Sequence, residues 1–300
     1  MRFANLTDVG REREHNEDNL LSTFFSFGHG SRRIGFGLHV VADGMGGAAA
    51  GEVASSITVE TIIRNVFENL LRTHMDSNQG YLNLGKVVRA ALEEANQMVW
   101  KLARENTQYL GMGATCTTIL TCQGRAFIGQ VGDSRAYMLR GGELRQITRD
   151  HSFVGEMVRD GRLTEEQARV HPRKNIITRA IGSRYAVQVD VFFEELRPGD
   201  MLLACSDGLS GMVTDPEMRT LLSQGIGKRR ELSRLCEDLV QKANSAGGTD
   251  NITVTLVWVD QEDIPARPLD QIAFSPDSVL TWDEASRLDL EDWSFIRVEA

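Results

Sequence analysis

Apolar residues recur along the first 260 positions in two rhythms. Short runs rich in β-branched and aromatic residues, at 20–27, 34–42, 114–121, 125–131, 135–139, 187–193, 201–205 and 252–259, read as strands. Two longer stretches repeat their apolar residues at helical spacing instead. In 49–73 these are Val53, Ile57, Ile62, Ile63, Val66 and Leu70; in 83–106 they are Leu84, Val87, Val88, Ala91, Leu92, Ala95, Val99 and Leu102. A later helical pair covers 215–223 and 228–244. Arg140-Gly141-Gly142-Glu143, set between apolar runs, predicts a tight hairpin turn in which glycine supplies the positive φ. Strands joined by short turns, a few long helices and no βαβα alternation predict an α+β fold, with antiparallel sheets covered by helices.

Two segments break the rhythm. Residues 148–180 are charged, and their amphipathic patches are too short for a core helix, so they read as a surface excursion over one end of the sheets. Beyond 260 the charge balance changes. Ten acidic residues face three arginines in 261–300, which concentrates most of the chain's net −9 there, and Pro265 and Pro268 mark a boundary near 260. Within this acidic tail, Thr281-Trp282-Asp283-Glu284 has the form of a capping box and predicts a short helix over 282–292, with Trp282, Leu288 and Trp293 able to dock it.

Composition narrows the function. Net negative charge weighs against a nucleic-acid partner. No apolar run approaches 18 residues, so no membrane span or membrane partner is expected, and the N-terminus lacks the apolar core of a signal peptide. Cys116, Cys122, Cys205 and Cys236 show no CxxC spacing and read as buried free thiols in a reducing, cytoplasmic setting.

The chemistry lies in acidic residues at the ends of apolar runs. HVVADGMGG ends a strand on Asp43 and follows it with glycines; MLLACSDG repeats the arrangement at Asp207. Asn16-Glu17-Asp18-Asn19 stands before the strand at Leu20, Gly248-Thr249-Asp250-Asn251 before the last strand, and Gly132-Asp133-Ser134 between two strands. Any one of these is an ordinary turn or cap. If all converge, carboxylates share one cleft, and close like charges need a compensating cation. Oxygen ligands without a Cys or His cluster select Mg²⁺ or Mn²⁺. Ser134 and Ser206 have no histidine placed to activate them, and Gly111-Met112-Gly113-Ala114-Thr115 lacks the GKS/T of a phosphate-binding loop. Asn16 and Asn251 read as braces, His39 as structural, and His151 and His171 as surface histidines.

The ordered set Thr7-Asp8-Val9-Gly10, Arg13, Asn16-Glu17-Asp18, Asp43-Gly44-Met45-Gly46-Gly47, Gly111–Thr115, Gly132-Asp133-Ser134-Arg135, Thr178-Arg179-Ala180-Ile181-Gly182, Ser206-Asp207-Gly208 and Gly248-Thr249-Asp250-Asn251 resembles the metal-dependent Ser/Thr protein phosphatases of type 2C, most closely the compact bacterial members. The resemblance spans roughly residues 5–259. It implies a central antiparallel β-sandwich flanked by helices on both sides (α-β-β-α), forming a catalytic domain over 1–260, with a flap at about 148–180 and the tail 261–300 as an appendage. It implies two Mg²⁺ or Mn²⁺ ions. Asp43 would bridge them, the Gly44 carbonyl would ligate one, and Asp207 and Asp250 would complete one shell. Glu17 would hold the other ion through water, with Asp18 in or near that shell. Asp133 would hold a third, weaker ion, and Arg13 would clamp the substrate phosphate. Phosphorylated proteins and a cognate Ser/Thr kinase with its targets are the implied partners, and the enzyme is expected to act as a monomer.

One position departs from the pattern. Many eukaryotic members carry histidine directly after the Asp-Gly, as the acid for the leaving alkoxide; here Met45 stands there, and a water at the Asp133 site is the expected substitute. The competing readings are a pseudophosphatase that binds phosphoproteins or regulates a kinase, and a metal phosphohydrolase with a small-molecule or anti-anti-sigma-type substrate. The complete set Glu17, Asp43, Asp207 and Asp250 speaks against a decayed site.

Overall fold

The computed structural model describes residues 1–29, 32–75, 81–264 and 296–297. Its elements in chain order are β1 (Arg2–Asp8), β2 (Asp18–His29), β3 (Arg32–Met45), α1 (Ala48–Met75), β4 (Tyr81–Leu82), α2 (Leu84–Glu105), β5 (Gly113–Ala114), β6 (Cys116–Cys122), β7 (Arg125–Val131), β8 (Arg135–Arg140) and β9 (Glu143–Gln146), followed by α3 (Phe153–Arg159), α4 (Glu165–Arg169), β10 (Asp190–Glu195), β11 (Met201–Cys205), α5 (Asp207–Ser210), α6 (Asp215–Gly227), α7 (Leu232–Ser245), β12 (Ile252–Trp258) and β13 (Ile296–Arg297). The helix expected over 282–292 lies outside the described residues.

Two antiparallel sheets carry the fold. One has the order β1-β12-β11-β8-β9, the other β10-β7-β6-β3-β2, and β13 pairs with β4 apart from both. Strand alternation explains the layering, because successive side chains point to opposite faces. In β11, Met201, Leu203 and Cys205 join the core under α6 and α7, while Leu202 and Ala204 face the opposite sheet. In β6 and β7, Leu120, Phe127 and Val131 pack under α1 and α2, and Ile119, Ala126 and Ile128 fill the space between sheets. Strands buried on both faces read as continuous apolar runs, which is why these were legible. The result is the α-β-β-α sandwich expected from the sequence.

Helix α2 shows how local signals set an element. Asn83 caps it, its Oδ1 accepting from the Lys86 N–H at 3.0 Å. Leu84, Val88, Leu92, Ala95 and Val99 form its buried stripe. The predicted hairpin forms between β8 and β9, with Gly141 and Gly142 at φ 58° and 87°. Some expectations needed correction. Strand β10 starts at Asp190 rather than 187, because Val187 and Val189 pack into the core while backbone pairing begins only at Asp190 opposite Gln130. Strand β1 was not expected; its half-exposed edge position gives a weak alternation, yet it pairs with β12 along its whole length. Residues 148–180 contain the short α3 and α4, and bury Thr148, His151 and Ser152.

All four cysteines are free and buried, and burial pushes the thiols up to about 12. His39 is buried with neither ring nitrogen hydrogen-bonded, edge-on to Phe3 at 5.4 Å, and burial lowers its pKa to about 3. It is structural.

Candidate active site

The acidic residues meet at one end of the sandwich because both sheets deliver them there. Asp18 opens β2 and is the antiparallel partner of Asp43 near the end of β3, so the ladder itself places two carboxylates side by side. From the other sheet, Asp207 follows β11 in the first turn of α5, and Asp250 precedes β12. Asp133 lies where the chain crosses from β7 in one sheet to β8 in the other. Three of these differ from the strand-end picture: Asp18 and Asp43 belong to strands, and Asp207 is helical.

Their charges act on one another. Burial raises the Asp18 carboxyl to about 7, and Asp207 and Asp250 add to the effect. Asp207 rises to about 6 through burial and then Asp250, while a hydrogen bond with Asp43 lowers it. Asp43 is pushed well up by burial, reinforced by Asp18, Asp207, Asp133 and Asp250. Burial also pushes Asp133 well up, with Asp207 and Asp150 contributing, and raises Glu17. Positive charge partly compensates them: Arg13 Nη2 donates to Asp250 Oδ2 at 2.8 Å, and Arg135 lowers the Asp207 and Asp133 carboxyls.

Whether the residues suit metal ions is answered by what their oxygens lack. Asp18 Oδ1, Asp133 Oδ1 and Asp207 Oδ1 are buried without a hydrogen-bond partner. Orphaned anionic oxygens at this density are costly unless a cation takes them. Among the described residues no three acidic, histidine or cysteine side chains close a ligand shell around a point. Mg²⁺-type ions do not need one, since they keep most of their waters and take one or two carboxylates each. The donor set fits.

The supporting residues are specific. Ser206 Oγ donates to Asp18 Oδ2 at 2.7 Å and accepts from the Thr253 N–H at 2.9 Å, which makes this buried serine a brace and not a nucleophile. Asn251 Oδ1 accepts from Glu17 N–H at 2.8 Å, and its amide donates to the Val9 and His15 carbonyls at 2.9 Å each. Asn16 Oδ1 accepts from Asp18 N–H at 3.1 Å. Both asparagines brace the Glu17-Asp18 turn, as expected. The absence of a side chain after Asp43 is a packing requirement. A Cβ on Gly44 would collide with the Gly51 carbonyl of α1 and meet the Glu17 carbonyl at 2.7 Å. The space is taken by the protein's own backbone. Met45 pairs with Gly113 and carries no ionisable proton.

Several residues at the site were not anticipated. Arg135 makes a bidentate pair with Asp150 and reaches Tyr137 Oη at 3.0 Å. Arg169 of α4 donates to the carbonyls of Ser210, Gly211 and Val213, tying the excursion to the end of α5. His151, expected on the surface, is 1% exposed and bonds Asp190 and the Gly132 N–H. Apart from Arg135–Tyr137, no short-range pattern marks these contacts, because the partners lie 15 or more residues away. His171 is half-buried against the Phe153 ring. A solvent-open cleft of about 830 Å³ results, with Asp133, Asp207 and Asp250 on one side and Glu165, Arg169 and Lys174 of the excursion on the other.

Fold and site together define a hydrolase-like carboxylate centre at the edge of an α-β-β-α sandwich. The family model for protein phosphatase 2C matches residues 11–251. The serine/threonine phosphatase stp of Listeria monocytogenes serovar 1/2a is 39% identical over 254 residues, which is 85% of this chain and 94% of that protein. The crystal structure of the Mycobacterium tuberculosis serine/threonine phosphatase PstP/Ppp superposes with a TM-score of 0.71 at 34% identity, covering 87% of this chain and 99% of that one. The catalytic domain of the phosphatase PstP in complex with two manganese ions gives 0.65 at 35% identity, over 87% and 98% of the two chains. The chain belongs to the protein phosphatase 2C family, the metal-dependent protein serine/threonine phosphatases.

Proposed function

We propose that this protein hydrolyses phosphoserine and phosphothreonine in phosphorylated proteins, at a centre whose carboxylates would hold two Mg²⁺ or Mn²⁺ ions. Asp43 would serve both, the Gly44 carbonyl, Asp207, Asp250, Glu17 and Asp18 would complete their surroundings, and Asp133 would hold a third. The observation that supports this most is the set of orphaned oxygens on Asp18, Asp133 and Asp207 within one group of buried carboxylates that raise one another's pKa. When bound, such ions lower the pKa of water and neutralise charge developing on a transferring phosphoryl group.

The chain's own residues do the rest. Arg13, which pairs with Asp250 at the mouth of the site, would grip the phosphate, for which its planar fork suits two oxygens at once. Ser206, Asn251 and Asn16 hold Asp18 and Glu17 in place. Arg169, Lys174 and Glu165 line the wall against which the peptide lies. Met45 has no proton to give, so the leaving alkoxide takes its proton from water on the Asp133 side of the cleft. The catalytic unit is 1–260 with a flap at 148–180 and an acidic tail at 261–300. A cognate Ser/Thr kinase and its targets are the proposed substrates. The enzyme acts as a monomer in the cytoplasm, a reading supported by its four free buried cysteines and by exposed large apolar side chains that come from separate elements. Among the described residues no helix is long and apolar enough to cross a membrane.

Hydrolysis of a phosphothreonine peptide, measured with Mn²⁺, with EDTA and in Asp207→Asn, tests this. Activity should require the metal and vanish in the variant; equal rates in EDTA would sink the two-metal centre.

A further inference from the structure

One buried side chain links the excursion to the cleft and has no part in the hydrolysis set out above. His151 lies between β9 and α3. Its backbone N–H donates to the Gly132 carbonyl at 2.9 Å, and its carbonyl accepts from Thr178 N–H at 2.8 Å. The ring repeats this bridging. Nδ1 is 3.1 Å from the Gly132 nitrogen, and Nε2 is 3.1 Å from Asp190 Oδ2. A backbone N–H can only donate, so Nδ1 must offer a lone pair. The ring proton therefore sits on Nε2 and donates to Asp190, while Arg179 Nη1, 3.3 Å from the same nitrogen, directs its proton to Asp190 Oδ1.

Asp190 is equipped to hold that proton in place. Burial by itself would raise its carboxyl, yet His151 and Arg179 outweigh burial and hold it below its ordinary value. Arg179 Nη1 donates to the second oxygen, Oδ1, at 2.8 Å. A relay of contacts thus runs Arg179, Asp190, His151, Gly132, and ends one residue from Asp133. The rest of that loop is held by other means. Gln130 donates to the carbonyls of Gly132 and Ser134, Thr117 Oγ1 donates to the Ser134 carbonyl at 2.9 Å, and Ser134 Oγ meets Thr115 Oγ1 at 2.6 Å. The imidazole holds the Gly132 N–H, while Asp133 Oδ1 has no partner of its own to fix it.

We propose that His151 is a positioning residue for Asp133. Locked as the Nε2–H tautomer by Asp190 and Arg179, it fixes the Gly132 N–H and thereby the direction in which the Asp133 carboxylate enters the cleft. The excursion and the third cation site are then one mechanical unit, and a peptide that shifts the first alters the second. This rests on the reading that Asp133 holds a cation. Side chains that orient a metal-binding group from behind commonly carry tenfold or more in metal affinity.

Two substitutions at His151 separate its two ring contacts. In His151→Asn, Oδ1 stands where Nδ1 stood and keeps the bond to Gly132; in His151→Gln, the longer side chain reaches Asp190 and loses Gly132. Mn²⁺ binding to the full chain is followed by calorimetry and by the paramagnetic signal of free Mn²⁺, and Gly132 by amide hydrogen exchange. His151→Gln should weaken the weakest class of Mn²⁺ site about tenfold, leave the tighter classes unchanged and speed Gly132 exchange. His151→Asn should restore most of both. Asp190→Asn, which leaves the imidazole in place, should also weaken the weakest class by freeing the tautomer. The ¹⁵N shifts of the ring should show Nδ1 unprotonated. Parent-like Mn²⁺ binding in His151→Gln, no rescue by Asn, or a proton on Nδ1 would overturn the proposal. Retention of the weakest class in Asp133→Asn would overturn the cation reading of Asp133 itself. That failure is distinct, because Gly132 exchange reports the His151 contact without any metal.

Discussion

Stripping the metal should make the protein's stability fall as pH rises, and Asp18 sets the size of the effect. Its carboxyl goes from an ordinary 3.8 to about 7 in the folded protein. The folded state therefore binds this proton more tightly than the unfolded chain does. The stabilisation is complete below pH about 4 and is lost as pH rises through about 7. At about 1.4 kcal/mol per tenfold change in proton affinity, Asp18 carries about 4 kcal/mol. Asp207, raised to about 6, adds in the same direction, though the two share their proton equilibria and do not sum. Water entering the ionised cleft relieves part of the strain, so a loss of about 3 kcal/mol between pH 5 and pH 8 is expected.

His39 acts in the opposite sense. Its pKa of about 3 leaves it neutral when the unfolded chain protonates, which costs about 2 kcal/mol as pH falls to 5. Because His39 is common to both proteins, subtracting the pH profile of Asp18→Asn from that of the parent isolates the carboxyl. Urea unfolding in EDTA at pH 5, 6, 7 and 8 provides the measurement. The parent should lose stability relative to Asp18→Asn with rising pH, and saturating Mn²⁺ should abolish the difference by binding only the folded state. Parallel profiles for the two proteins in EDTA would refute the burial argument. A slope that persists in Mn²⁺ would refute the replacement of protons by metal.

Further outcomes follow from single contacts. Asp133→Asn should slow an unactivated phosphopeptide far more than p-nitrophenyl phosphate, whose leaving group needs no proton, so equal losses would move the acid elsewhere. Arg13→Ala should cost about 2 kcal/mol of transition-state binding, near 30-fold in kcat/KM, as expected for a lost charged hydrogen bond. Gly44→Ala should destabilise by about 3 kcal/mol, read by urea unfolding, because its methyl meets the Gly51 and Glu17 carbonyls. Asp200→Ala should cost about 3 kcal/mol in the same assay with kcat unchanged. Asp200 is 2% exposed and takes both a bidentate Arg140 and the Arg197 N–H, far from the cleft chemistry.

What the amino-acid order determined on its own is whatever depends on near neighbours. The doubly buried runs at 125–131 and 201–205 became strands with those same limits, because a strand covered on both faces needs apolar residues at every position. Helix α2 follows from its stripe and its Asn83 cap, and the hairpin from Gly141-Gly142. Strand β1 carries no such signature, since an edge strand with one exposed face asks little of its sequence. The acidic residues that belong to the cleft could be picked out from their repeated context, but that they meet was decided by register. A slip of one residue between β2 and β3 would part Asp18 from Asp43. Tertiary structure alone decided that Gly44 makes room for α1, that Ser206 braces Asp18, and that His151 is buried. Asp18 is 188 residues from Ser206 and Asp190 is 39 from His151, and only the folding of the whole chain brings such partners within reach, as it brings α1 against Gly44.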